Sequence, residues 1–254
     1  MPKKSIRQIS FYFILFAVWE ALVLLKFWPE YLFPSPFKVF ETMAAGFKEA
    51  SFLFAIGISL KRILIGYGIS IVFGGLLGLL MGKSKFISDT VGGLVLSLQT
   101  LPSICWLPLA LLWFGLNEQA IIFVAIMGAL FSITIATYSG VRNVSPLYIK
   151  AGKNMGAKNI TLFWEVIIPA ALPSIIPGLR QGWSFAWRSL LAGELLFANL
   201  GLGYLLMMGR ELNDMSQVIA VMIMIAAISV LADKFVFGRI EASIRRKWGM
   251  GKGI

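Results

Sequence analysis

A succession of apolar runs, separated by short polar and basic stretches, most constrains what this chain can fold into. Several runs approach the roughly 20 apolar residues that a helix needs to cross a bilayer. Only 14% of the residues are charged and 58% are hydrophobic, whereas about a quarter of a soluble domain is charged. The sequence therefore predicts an all-α, polytopic membrane protein with a single domain over residues 1–254. Its spans are expected at about 9–25, 58–81, 91–113, 121–138, 172–191 and 218–236.

The placement of lysine and arginine predicts which side of the membrane each connection faces. Cytoplasmic connections carry an excess of these cations. Most of them lie near the two ends of the chain, in the turn at Lys83 and Lys85, and in the segment after Tyr138. Both termini and these connections are therefore expected in the cytoplasm. The first run imitates a signal peptide, but bulky residues follow it where a cleavage site would need small ones, which favours a retained span.

The chain has no histidine and a single cysteine, Cys105. Histidine is the commonest metal ligand and general base, and one cysteine cannot build a disulfide framework. We therefore expect no metal and no cofactor on this chain. The net charge of +11 could indicate a nucleic-acid partner, but the cations gather beside apolar runs, where they set topology.

Two local patterns predict helix geometry. Ser35 can cap a short external helix in which Pro36 is the first residue. In the second span, Gly74, Gly78 and Gly82 recur every four residues and share one face, which lets another helix approach closely. We interpret this face as a packing surface rather than as part of a transport path.

The third apolar run contains Pro102 and Pro108. A proline inside a helix removes a hydrogen bond and clashes with the preceding turn. In a membrane the freed carbonyls need protein or water as partners. Gln99, Thr100 and Ser103 stand at the first break and can supply polar contacts. A water-filled path and a simple packed kink both remain open.

A polar and basic segment, 145–177, separates two long apolar runs. Ser145 and Pro146 predict the start of a helix, and Gly156 suits the left-handed position that ends one. Such a segment indicates that something docks there.

One face of this predicted helix combines large and small residues. Tyr148, Ala151, Gly152 and Met155 lie three and four residues apart, so they share that face. Small residues at its centre would fit a groove on another protein. An interfacial helix on acidic lipid, or packing on the chain's own bundle, are the alternatives.

The same segment resembles the EAA loop of ABC-transporter permeases, in which Glu-Ala-Ala, three residues, glycine, nine residues and Ile-x-Leu-Pro recur. Here the positions read Lys150-Ala151-Gly152, then Gly156, then Val166-Ile167-Ile168-Pro169 after nine residues. Lys150 replaces the usual acid and Gly152 the second alanine.

Further motifs between Trp19 and Trp248 resemble the nitrate, sulfonate and taurine branch of importer permeases. They are Pro34-Ser35-Pro36, Ser59-Leu60-Lys61-Arg62, Leu107-Pro108-Leu109, Leu112-Trp113-Phe114-Gly115, Gly178-Leu179-Arg180, Ala186-Trp187, Gly193-Glu194 and Gly201-Leu202-Gly203.

This resemblance implies a type I importer permease in the bacterial inner membrane, a transport subunit rather than an enzyme. Its implied partners are a second, identical permease chain, two ABC ATPase subunits and an external solute-binding protein. ATP and Mg²⁺ are expected on the ATPase, because this chain has no G-x-x-x-x-G-K-[ST] loop. The residues expected to couple to the ATPase are Tyr148, Lys150, Ala151, Gly152, Met155, Gly156, Ala157 and Pro169.

The fifth span is the most polar, and polar groups at membrane depth usually face a bundle interior or a water path. The residues predicted to line the path are Gln99, Thr100, Trp106, Gln181, Trp183, Ser184, Trp187, Arg188 and Glu194. Arg188 would attract an anion, or else form an Arg–Glu pair that fixes packing. The tryptophans suit packing as well as a path, and Glu194 suits a structural role or a gate.

The solute implied by the resemblance is a small oxyanion such as nitrate, taurine or another sulfonate. A small heterocycle such as a thiamine precursor is the alternative within the same complex. An ATP-independent carrier or channel is the runner-up from another class. A membrane enzyme is disfavoured, because catalysis would need a titrating group and the sequence has no histidine and no intramembrane carboxylate cluster.

Overall fold

The computed structural model describes residues 2–197 and 199–247, and all regular structure in them is helical. The all-α class predicted from the sequence is confirmed. Trp248, where the sequence resemblance ends, lies outside the described residues. The α-helices are α1 (Pro2–Leu24), α2 (Pro36–Lys48), α3 (Ser51–Lys83), α4 (Lys85–Thr100), α5 (Leu107–Phe114), α6 (Glu118–Arg142), α7 (Pro146–Asn154), α8 (Asn159–Thr161), α9 (Ile168–Phe197), α10 (Leu202–Glu211), α11 (Met215–Ala232) and α12 (Gly238–Lys247).

Four helical stretches in the described residues are long and apolar enough to cross a membrane: Ser51–Lys83, Glu118–Arg142, Asn159–Phe197 and Met215–Ile244. The predicted third span differs from these, because α4 and the helical stretch Ser103–Phe114 meet at an angle of 102° and form either a broken span or a re-entrant loop. The predicted first span corresponds to a shorter apolar stretch of α1, Ile9–Leu24.

Two short wide turns interrupt the long helices. The π-helical segment Leu162–Ile167 leads into α9, and Asp233–Phe237 joins α11 to α12. The first of these ends with the Ile168 N–H bonded to the Phe163 carbonyl, five residues back. Pro169 follows directly, and its ring and missing N–H disturb the turn before it. The widened turn accommodates that proline without ending the helix.

Grouped by the contacts between them, the described residues fall into two compact units. The first comprises residues 2–59, 194–197 and 199–227. Within it, the Trp19 indole Nε1 donates to the Pro34 carbonyl at 3.1 Å, and the Phe16 and Phe40 rings stack at 6.2 Å. Ser35 caps α2 by accepting from the Lys38 N–H, and Pro36 is the first helical residue. The predicted capped helix is therefore confirmed.

The second unit comprises residues 60–193 and 228–247. Its interior is built around α6, of which Ile121, Val124, Ala129 and Ile133 are fully or almost fully buried. The predicted glycine face of α3 packs here. A Cβ at Gly74 would lie 2.6 Å from the Leu130 carbonyl oxygen of α6. A Cβ at Gly78 would lie 2.5 Å from the Thr134 carbonyl oxygen, and one at Gly82 would lie 2.7 Å from Val141 Cγ1. This confirms the glycine face as a helix-packing surface.

Replacing Gly78 with alanine should destabilise the folded chain by about 1–3 kcal/mol, because overpacking forces backbone shifts. The new Cβ would lie 2.5 Å from the Thr134 carbonyl oxygen and 2.7 Å from the Thr137 Cβ. Gly75→Ala is the matched control, since nothing lies within 4 Å of its Cβ position. It should leave stability unchanged or raise it by up to about 1 kcal/mol. Melting temperatures in detergent measure both, and equal effects would contradict the packing assignment.

Candidate functional site

The break between α4 and the following helix is centred on Leu101 and Pro102. Both residues have extended backbone, with ψ of 125° and 131° respectively. The break predicted at Pro102 is therefore confirmed. The other proline, Pro108, causes no break, because it lies in the first turn of α5. The N–H that a proline lacks has no helical partner at that position in any case.

A cavity of about 390 Å³ opens at this break. The break contributes Gln99, Thr100 and Ser103, α9 contributes Phe185 and Arg188, and α6 supplies Gly128 and Phe131 among others. The structure thus brings together Gln99, Thr100 and Arg188, which lie far apart in the sequence and were predicted to share a path. Arg188 is the one charged residue in the described lining of the cavity.

The Arg188 side chain is exposed and held loosely. Its Nε donates to the Ser184 carbonyl at 3.3 Å, and its guanidinium lies over the Phe185 ring at 4.9 Å from the centroid. No carboxylate pairs with it among the described residues. A cation without a carboxylate partner among the described residues, at the wall of a cavity that also carries amide and hydroxyl groups, is suited to attract an anion.

A hydroxyl pair joins the break to α9, and the sequence reasoning missed one half of it. The Ser189 and Ser103 hydroxyl oxygens lie 2.6 Å apart, the Ser189 hydroxyl also lies 2.7 Å from the Phe185 carbonyl oxygen, and Ser189 is almost fully buried. A Cβ at Gly128 would overlap the Ser189 hydroxyl, so α6 must carry glycine there. Ser189 follows Arg188 directly in the sequence. The one available signal was its small polar side chain in a span that packs against Gly128 of α6.

The other predicted path residues lie outside the lining of this cavity. Gln181 and Ser184 are exposed on the same helical stripe as Arg188, but they do not line the cavity. Trp106 is half-buried and packs behind the cavity, 6.3 Å from the Phe131 ring.

Trp183 and Trp187 lie in the packed interior. Trp187 is 4% exposed, and the two indoles stack at 6.2 Å. Trp183 also contacts Tyr67 at 5.2 Å and Phe237 at 6.3 Å. In this structure the packing alternative therefore describes both tryptophans. Among the described residues neither indole N–H has a hydrogen-bond partner.

Glu194 is buried, 1% exposed, and takes part in a compact polar cluster. The Ser59 hydroxyl lies 2.9 and 2.8 Å from the two carboxylate oxygens of Glu194, and the Gly203 N–H donates to Oε2 at 2.9 Å. Ser59 in turn accepts from the Leu202 N–H at 2.9 Å. Gly201, at φ 125°, lets the loop pass close to the carboxylate. These contacts favour the structural role for Glu194.

Replacing Ser59 with alanine should lower stability by about 1–3 kcal/mol, because it removes one hydrogen bond from the buried Glu194 and leaves the Leu202 N–H without its acceptor. Ser97→Ala is the control. That hydroxyl is exposed, and within the described part of the chain its one bond is to the Gly93 carbonyl of its own helix, at 2.9 Å. The difference in melting temperature between the two variants measures how much the cluster stabilises the fold. Equal melting temperatures would show that the cluster does not stabilise it.

The helix α7 begins and ends where the sequence predicted. Ser145 caps it by accepting from the Leu147 N–H, and Pro146 is its first residue. Gly156 has φ 92° and donates to the Lys153 carbonyl at 3.0 Å, while Ala157 donates to the Gly152 carbonyl at 3.0 Å. These two bonds form a Schellman motif, which fixes the end of the helix.

The faces of α7 differ from the predicted arrangement at one residue. Gly152 is buried and faces the chain's own π-helical segment, where its Cβ would lie 2.9 Å from Val166 Cγ2 and 3.0 Å from Leu162 Cδ1. The small residue therefore serves packing within the chain rather than a groove on another protein.

The remaining predicted coupling residues lie mostly at the surface. Met155 is 89% exposed, and Tyr148, Lys150 and Ala151 are exposed with it. Gly156 is exposed at the helix end, whereas Ala157 and Pro169 are half-buried. The outer side of α7 is thus a mixed apolar and basic surface.

Comparison with known proteins supports a transport role. Residues 70–246 match the family described as the inner membrane component of binding-protein-dependent transport systems. The taurine transport system permease protein TauC of Escherichia coli is 29% identical over 225 residues, which cover 87% of this chain and 82% of TauC. The nitrate import permease protein NrtB of Synechocystis is 31% identical over 178 residues, covering 70% of this chain and 65% of NrtB.

The fold also matches a solved transporter. An inward-facing structure of the MetNI methionine ABC transporter superposes with a TM-score of 0.66 at 18% identity. The match covers 75% of this chain and 94% of that chain. At this identity the likeness concerns the fold alone.

Proposed function

Because the chain belongs to the family of inner membrane components of binding-protein-dependent transport systems, we propose that its cavity at the broken helix is part of the path of a small oxyanion. The chain is a multi-pass permease, a transport subunit rather than an enzyme. The observation that carries the proposal is Arg188, which lines the cavity without a carboxylate partner among the described residues.

The solute class follows from the chemistry of the lining and from the relatives. Taurine carries a sulfonate and nitrate is itself an oxyanion, and these are the solutes in the names of the two relatives. A guanidinium suits oxyanions because its planar donors match their oxygens. Gln99, Thr100 and Ser103 offer amide and hydroxyl groups beside it. A heterocycle would gain nothing from the charge, so the oxyanion is favoured.

The energy source is proposed to be a separate pair of ABC ATPase subunits, which bind ATP and Mg²⁺. They would dock on the exposed side of α7, where Tyr148, Lys150 and Met155 are accessible. The fixed end of α7 at Gly156 would let it move as a rigid lever with the ATPase. An ATP-independent carrier is disfavoured, because it would not explain membership of this family.

The proposed assembly contains two identical permease chains and an external binding protein that delivers the solute. Both termini and α7 would face the cytoplasm, as the placement of lysine and arginine indicates. ATP binding would bias an equilibrium between inward-open and outward-open states, and the differential affinity of the partners for the two states sets the coupling.

Purification of the tagged chain from its native host in mild detergent tests this proposal. An ATPase and a binding protein are expected to copurify. The complex is then reconstituted into vesicles with the binding protein outside, and uptake of taurine, nitrate and a thiamine precursor is compared with and without ATP inside. ATP-dependent uptake of an oxyanion is expected. Uptake without ATP, or uptake of the heterocycle alone, would overturn the proposal.

A further inference from the structure

The end of the last membrane helix carries a charged cleft that the proposed transport function does not use. The apolar helix α11 has 18 residues, which is about 27 Å at ~1.5 Å per residue. That length nearly matches the roughly 30 Å hydrocarbon core of a bilayer. If α11 crosses the hydrocarbon core, the polar segment that follows, from Asp233 onward, is expected at the level of the lipid headgroups.

A cleft of about 860 Å³ opens at this level, and we call it the C-terminal cleft. Its charged lining residues are Arg180, Asp233, Lys234, Arg239, Glu241 and Arg246. Four cations thus face two carboxylates.

One of these cations, Arg180, pairs with both carboxylates of the cleft. Arg180 forms a two-pronged pair with Asp233, and its Nη1 lies 3.7 Å from Glu241 Oε2. The other cations of the cleft, Lys234, Arg239 and Arg246, form no ion pair within the described residues. They leave a surplus of positive charge in a concave site, and such a surplus attracts anions.

Exposed apolar side chains line the cleft or adjoin its lining residues along the chain, and they suit a membrane surface. Phe235 is 47% exposed, with Lys234 Nζ 5.9 Å and the Arg239 guanidinium 5.2 Å from its ring centroid. Val230, which lines the cleft, and Ile240 are also exposed. An aromatic ring between cations and apolar side chains is typical of the membrane interface.

We propose that the C-terminal cleft binds the phosphate of an anionic phospholipid headgroup, with Arg239 and Arg246 as its main ligands and Lys234 beside them. Basic pockets of this kind, at the ends of membrane helices, hold anionic headgroups. The exposed Val230, Phe235 and Ile240 favour a lipid over a soluble protein partner, because acyl chains would cover them. The inference depends on neither the solute nor the direction of transport.

Native mass spectrometry of the full chain in mild detergent tests the site. Phosphatidylglycerol and phosphatidylcholine are titrated separately, and inorganic phosphate is added as a competitor. The double variant Arg239→Gln/Arg246→Gln should bind phosphatidylglycerol roughly 25-fold more weakly, because each interfacial cation contributes about fivefold. The control, Lys48→Gln/Arg210→Gln, removes two exposed cations outside the cleft and should bind it as the wild type does.

Several outcomes would overturn the proposal. Equal binding of both lipids would show that the headgroup charge plays no role. Displacement of phosphatidylglycerol by millimolar phosphate would show that the cleft binds a soluble anion instead. If the double variant keeps its affinity for phosphatidylglycerol but loses a copurifying protein, the cleft is a protein contact. If the double variant does not fold, Lys234→Gln serves in its place, with a loss of about fivefold expected.

Discussion

Replacing Gly156 with valine should leave ATP hydrolysis by the assembled complex running while solute uptake falls roughly tenfold. Gly156 has φ 92°, a backbone conformation that costs an L-residue about 1–2 kcal/mol and a β-branched residue more. That penalty falls on the Schellman motif that ends α7, and about 1.4 kcal/mol corresponds to a tenfold change in population. With the helix end released, motion of the ATPase would no longer reach the membrane helices.

The control for this prediction is Gly156→Asn. Asparagine tolerates the left-handed conformation far better than valine. Nothing lies within 4 Å of the Cβ position at Gly156, so the added Cβ of either variant meets no obstacle. The comparison therefore tests the backbone strain that valine adds at this position. Hydrolysis and uptake are measured in the same vesicles. If Gly156→Val couples the two as tightly as Gly156→Asn does, the coupling role of α7 is wrong.

Local signals explain why the ends of α7 could be predicted from the sequence. A cap, an N-terminal proline and a left-handed glycine each act within one turn of the chain, as Ser145, Pro146 and Gly156 do.

The effect of a proline inside an apolar run is harder to predict from the sequence. Pro102 lies at the break between two helices, whereas Pro108 lies in the first turn of one. The difference lies in where the new helix starts, which the proline itself does not specify.

The predictions that differ from the structure concern what covers a given face of a helix. Periodicity placed Gly152 on one face with Tyr148 and Met155, but the neighbouring segment that covers Gly152 comes later in the chain. The stripe of Trp183 and Trp187 was likewise identified, but not the Tyr67 and Phe237 rings that bury it.

The Ser59–Glu194 cluster joins residues 135 positions apart. Each of its members looks ordinary in the sequence, because a contact of this kind exists only after the chain has folded. The break of the third span and Arg188 were within reach of sequence reasoning, whereas their meeting in one cavity required the packing of α4, α6 and α9.

Replacing Arg188 with alanine should lower uptake of the oxyanion by at least about tenfold while the complex still assembles. A hydrogen bond to a charged group contributes about 1.5–3 kcal/mol, so losing the guanidinium has a large effect on a bound anion. The fold should tolerate the change, because Arg188 is exposed and, among the described residues, contacts only the Ser184 carbonyl and the Phe185 ring of its own helix. Copurification of the partners and uptake at several solute concentrations measure the two effects separately.

Arg188→Lys separates attraction of the anion from packing. Lysine keeps the charge but lacks the planar fork that matches an oxyanion, so intermediate uptake is expected. Arg180→Gln provides the contrast on the same helix, because Arg180 already pairs with Asp233 and Glu241 and lies outside the cavity. That variant should lose stability without a selective loss of anion uptake. If Arg188→Ala transports as well as the wild type, the anion does not use this cation, and Arg188 belongs to the packing of the complex instead.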